Sequence, residues 1–176
     1  MQLKQDKMKL PGKISNHNFR SFLWHAGFLA MAKNFMDVDT VIPAMLVEAG
    51  GGAIHIGIMT AIMLGGAQFT QLFFAPFLSN KTFKKNYLLV GINTRVFALA
   101  GLGALLFLLQ SRTSGYMLGL MFLFITLFSL AGAFANISFT DILGKSINAD
   151  KRKTFFSARQ IISGVIVLGA AFLARK

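Results

Sequence analysis

Apolar residues run along this chain in long blocks cut by short polar turns. The blocks predict five helices, at about 19–47, 53–78, 87–109, 116–143 and 155–176. Glu48 and Gly50 to Gly52 close the first block. SNKTFKKN separates the second from the third, QSRTSG the third from the fourth, and GKSINADKRKTFFSAR the fourth from the fifth. Residues 1–18 precede the first block and form a basic lead, broken by Pro11-Gly12 and Asn16. A helix over Phe19 to Val47 would run to roughly 43 Å, against a hydrocarbon core of about 30 Å. The pattern is that of an all-α, polytopic membrane protein: a cytoplasmic lead over 1–18 and a transmembrane domain over 19–176.

The first block differs from the others in carrying Lys33, Asn34, Asp37 and Asp39 near its middle. A charge at the bilayer centre costs at least about 2.5–3.5 kcal/mol on insertion scales. Such residues call for a partner, a water-filled cavity or a task. Lys33 and Asp37 are four apart, so on a helix they share a face, with Thr40 on the same arc and Asn34 beside it. The functional reading turns this stripe toward a central cavity, with Asp37 binding a proton or substrate and Lys33 tuning its pKa. The bland reading is an internal salt bridge. Asp39 points away from Asp37, and with Pro43 and Glu48 close by it suits the outer interface.

Composition agrees with the pattern. The 176 residues are 55% hydrophobic and 14% charged, where a soluble domain would carry about 25% charged residues. Mean hydropathy is +0.61. No cysteine is present, so disulfides and thiolate metal sites are excluded. The net charge of +12 would suggest nucleic acid on a soluble surface, but here the cations fall between apolar blocks. The lead through Arg20, the second turn and the fourth turn hold five, three and five Lys or Arg; the first and third turns hold none and one. That asymmetry sets the N-terminus in the cytoplasm, with helices one, three and five running outward. From Ile161 to Ala174 the fifth apolar run gives only about 21 Å of helix. The expectation is that the chain stops inside its fifth helix, as a truncated part of a longer protein.

Pro76-Phe77-Leu78-Ser79-Asn80-Lys81-Thr82-Phe83-Lys84-Lys85 resembles the cytoplasmic signature between helices two and three of the major facilitator superfamily, Gly-x-Leu-Ala-Asp-Arg-x-Gly-Arg-Arg. Leu78, Lys81, Lys84 and Lys85 match in place or by charge. Asn80 stands where the family has Asp; Pro76 and Phe83 stand where it has Gly. The resemblance implies helices one to five of a twelve-helix fold, with inverted three-helix repeats and substrate bound near the midplane. It also implies a cytoplasmic gate at Asn80, Lys81, Lys84, Lys85 and Asp141. Asn80 lacks the family's charge, which reduces that latch to a hydrogen bond and leaves Asp141 to pair with Lys84 or Lys85.

Further polar residues lie within the blocks. Arg95 suits a counter-ion for an acid of helix one or for an anionic substrate, or else a gate salt bridge or a snorkelling side chain. Gln68, Gln71, Asn93 and Asn136 could hydrogen-bond a polar solute or serve as glue between helices, at about 0.6 kcal/mol each. His25 suits a packed or interfacial residue, and His17 and His55 have no partner at metal-ligand spacing. Gly50 to Gly52 lacks the Lys-Ser/Thr of a phosphate loop, against an ATP-driven pump. No nucleophile–base constellation appears, so an enzyme is not expected, nor a cofactor. The expected function is secondary transport of a small solute by alternating access in a plasma membrane of bacterial inner-membrane type. Coupling is expected to be to protons through Asp37, and the expected partners are the lipid bilayer and the missing C-terminal helices. The alternative is a non-transporting membrane subunit or a small helical assembly protein.

Overall fold

The computed structural model describes residues 10–108 and 115–174, with side chains through 169. The remainder of the lead, the turn carrying Arg112 and the closing Arg175-Lys176 lie outside the described residues. All regular structure among the described residues is helical. In chain order the helices are α1 (Gly12–Asn34), α2 (Val41–Glu48), α3 (Ala53–Ser79), α4 (Lys85–Leu108), α5 (Gly115–Ser146) and α6 (Ala149–Ala174). They form two compact units, residues 1–35 with 141–176, and residues 36–140.

In the first unit α1 and α6 lie side by side and run the same way. Near their starts the ring of Phe19 meets that of Phe155 edge-on, with centroids 5.6 Å apart. Further along, Gly27 faces Ile162 and Ile166, with room for a Cβ at ordinary contact distance. Phe155 is fully buried. A polar knot ties the start of α1 to the turn between α5 and α6. The Leu10 N–H donates to Asn148 Oδ1 at 3.0 Å, and Asn148 Nδ2 donates back to the Leu10 carbonyl at 3.2 Å. The Asn148 N–H donates to the buried Ser15 hydroxyl at 3.2 Å, and Asn18 Nδ2 to the Ser146 carbonyl at 3.0 Å. Pro11 precedes the first turn of α1, so the lead is helical from Gly12, although Pro11-Gly12 and Asn16 were expected to break it.

The second unit packs α2, α3, α4 and α5 around Ile42, Leu46, Met59, Ala98, Leu102, Met121 and Ile125. α4 and α5 run antiparallel: Gly91 lies against Ala135, Arg95 against Gly132, and Gly101 against Phe124. A Cβ on Gly91 would come within 2.7 Å of Ala135 Cβ, so this crossing needs a bare backbone. α3 lies beside α5 and runs parallel to it. Its middle, Ile62–Gly66, is wound as a π-helix. The Ser129 hydroxyl donates to the Met63 carbonyl within that segment at 3.2 Å, and Thr70 Oγ1 donates to the Gly66 carbonyl at 2.8 Å. Gly50 has φ +88 and ends α2, with the Gly51 N–H returning to the Leu46 carbonyl at 2.7 Å.

Among the described residues, three helices are long and apolar enough to cross a membrane: α3, α4 and α5. Their bounds fall within three residues of the blocks at 53–78, 87–109 and 116–143. Phe69, Leu72, Phe73, Val96, Phe97 and Leu123 on these helices are exposed, as lipid-facing residues would be. The outer two expected spans do not meet the same standard. Block 19–47 is not one helix: α1 stops at Asn34, residues 35–40 bend, and α2 adds only 8 residues. Because α1 begins at Gly12, its length includes Lys13, Arg20 and Lys33. α6 begins at Ala149, so Asp150, Lys151, Arg152, Lys153 and Arg159 all lie on it.

Candidate functional site

Arg95 is the eleventh residue of α4, about 15 Å along a helix long and apolar enough to cross a bilayer. Its guanidinium lies flat on α5. The central carbon sits 4.2 Å from the centroid of the Phe128 ring. A Cβ at Gly132 would come within 3.1 Å of that carbon, so the absence of a side chain there makes the seat. Arg95 Nε is buried and has no hydrogen-bond partner among the described residues. The aromatic face offsets part of the cost of holding a cation away from water, by about 2 kcal/mol when desolvated. It does not occupy the N–H donors, which remain able to bind an anion. Residues 49–140 include no Asp or Glu, so no acid of that stretch can neutralise Arg95.

Asp37 takes a different place from the one its spacing suggested. α1 ends before it, so Lys33 and Asp37 do not share a helix face. Asp37 Oδ1 accepts three hydrogen bonds: from the Thr40 hydroxyl at 2.7 Å, the Thr40 N–H at 2.9 Å and the Asp39 N–H at 3.1 Å. This closes the bend that leads into α2. The Thr40 hydroxyl, more than the two backbone N–H groups, holds the Asp37 carboxyl below the usual carboxylate range, against a smaller opposing effect of burial. Its contribution to the bend is therefore present above the unfolded value and is lost as pH falls below about 4. Asp37→Ala is expected to loosen 37–48 by about 1 kcal/mol, as for a lost helix cap. Asp37→Asn keeps an acceptor oxygen and is expected to hold the bend. Hydrogen exchange over α2 reads the difference; equal protection in both variants would show that the carboxylate does not organise this segment.

The other expected site residues lie on different elements. Asn34 is the last residue of α1, and Lys33 lies exposed in its last turn, where a cation suits the helix dipole. Asp39, Gln68 and Asn136 are exposed. In the basic turn Asn80 is the exposed residue that ends α3, and Lys81 Nζ lies 4.9 Å from the centroid of the Phe77 ring. Asp141 pairs with Lys145 one turn along α5, at 2.8 Å. Sequence reasoning passed over Phe128, Gly132, Ser129 and Asn148. Gly132 stood in a visible run of small residues, Ala131-Gly132-Ala133, but nothing in the sequence tied that run to Arg95. Among the described residues, no group of three or more His, Asp or Glu could hold a metal ion.

The chain is thus an all-helical protein with three helices able to span a bilayer and a cation seated between two of them. No protein-family model matches it, and no characterised protein or solved structure gives a significant match.

Proposed function

We propose that this chain acts in secondary active transport, moving a small solute across a membrane by alternating access in the manner of the major facilitator superfamily. The observation that carries the reading is Arg95, a cation in the middle of an apolar helix whose Nε is buried with no hydrogen-bond partner among the described residues. Ionisable groups at such depth mark substrate or ion pathways. The antiparallel α4–α5 contact and the same-way pairing of α1 with α6 agree with the alternating topology expected from the basic turns. Asp37, held low in its pKa and bound into a bend, fits poorly as the proton carrier, and coupling is assigned to no residue. Helix α3, with its π segment and Pro76, offers a place for bending during exchange of access.

The test is uptake by the protein in proteoliposomes, over a panel of small neutral, cationic and anionic solutes. Arg95→Gln is expected to slow uptake of the transported solute about tenfold or more, the loss of roughly 1.4 kcal/mol of binding, without loss of inserted protein. The chain has no cysteine, so single cysteines at Gln68, Asn93 and Asn136 can be probed with a membrane-impermeant thiol reagent. Reactivity that changes with solute supports a wet pathway. No uptake of any solute, with reactivity equal to that of a cysteine at the exposed, apolar Leu123, would overturn transport in favour of a non-transporting subunit.

A further inference from the structure

The turn between α3 and α4 borders an open surface pocket of about 460 Å³, lined by Lys81, Thr82, Phe83, Asn86, Tyr87 and Val90. The polar lining comes from the turn and the first turn of α4; Val90 lies a helical turn deeper along α4. Tyr87 is fixed edge-on to Phe77, with centroids 5.9 Å apart, and near Phe134 at 6.4 Å, so that wall is held by rings from α3 and α5. Phe83, also in the lining, is 81% exposed. Lys84 and Lys85 adjoin the pocket in sequence, and residues 49–140, which include its lining, contain no Asp or Glu. The first N–H groups of α4 add their partial positive charge.

We propose that this pocket binds the phosphate headgroup of an anionic phospholipid. The inference rests on α3 and α4 crossing a bilayer, and not on transport. Two helices able to cross a membrane end here, so the turn lies at the bilayer surface, where headgroup phosphates are found. The Lys81 ammonium, the Thr82 hydroxyl and the Asn86 amide suit a phosphate, while Phe83 and Val90 offer apolar surface to the glycerol and upper acyl chain. A free inorganic phosphate would leave those apolar walls uncovered.

Native mass spectrometry of the purified protein, offered phosphatidylglycerol or phosphatidylcholine, tests the site. Lys81→Ala is expected to lower retained phosphatidylglycerol about fivefold, the equivalent of about 1 kcal/mol for one cation at an anionic surface. Lys81→Arg should restore it. Lys153→Ala, which removes an equal charge from an exposed position on α6, should leave it unchanged. Lys81 is itself exposed, so these variants keep the fold. Equal retention of the two lipids, or equal losses from Lys81→Ala and Lys153→Ala, would overturn the site. Complete displacement of the lipid by millimolar inorganic phosphate would overturn it in favour of a soluble anion.

Discussion

Phe155→Ala is expected to destabilise the pairing of α1 with α6 by about 3–5 kcal/mol, the range for deleting a fully buried aromatic ring. The side chain is entirely buried and meets Phe19 edge-on, so truncation opens a void and also removes a ring–ring contact. Further along the pair, Gly27 faces Ile162 and Ile166. The adjacent Phe156, 48% exposed, is the control, and Phe156→Ala should cost under about 1 kcal/mol. Denaturant titration of the protein in detergent measures both, with hydrogen exchange in α1 as a local readout. Equal costs for the two variants would mean that the Phe19–Phe155 contact does not hold the helices together.

Gly91→Ala should cost about 1–3 kcal/mol through overpacking. The added Cβ would meet Ala135 Cβ at 2.7 Å, the Ala131 carbonyl oxygen at 3.0 Å and Ala135 Cα at 3.1 Å. These atoms belong to the backbone or are fixed to it, so α4 and α5 must separate. At Gly101 the nearest atoms are the far edge of the Phe124 ring, which can turn away, so Gly101→Ala should cost less. At Gly103 nothing lies within 4 Å, and Gly103→Ala should stabilise slightly through helix propensity. The order of the three variants in a thermal melt is the test. Arg95 stands one helical turn from Gly91, so the first variant should also unseat the guanidinium from Phe128 and slow any solute movement that depends on it.

Helices α3, α4 and α5 were legible because their apolar blocks are uninterrupted and end at charged or glycine-rich turns. Such limits depend on transfer energies along the chain and need no tertiary information. The first block misled for a definite reason. Lys33, Asn34, Asp37 and Asp39 were weighed by the cost of burying them, which pointed to a cavity. Asn and Asp also close bends with their side chains, and Asp37 does so here through Thr40. At the chain's start, Pro11-Gly12 read as a breaker, yet proline is tolerated where a helix begins. The Arg95 seat could not be read, because it joins residues 33 to 37 positions apart through helix packing. The tie from Asn148 to Leu10 and Ser15 spans more than 130 residues and left no local pattern at all.

The π segment of α3 has a bearing on how this helix can change length. A π turn is in effect one surplus residue wound into an α-helix, and it puts the faces before and after it out of phase. Met59 is buried ahead of Ile62–Gly66, and Thr70 and Leu78 are buried behind it. Removing one residue inside that segment would convert it to regular α-helix while each half kept its own contacts. The same deletion in α4 would rotate everything beyond it by about 100° and strip Gly91 or Arg95 of its partner. Insertions and deletions should therefore be absorbed at 62–66 in α3 and rejected along α4.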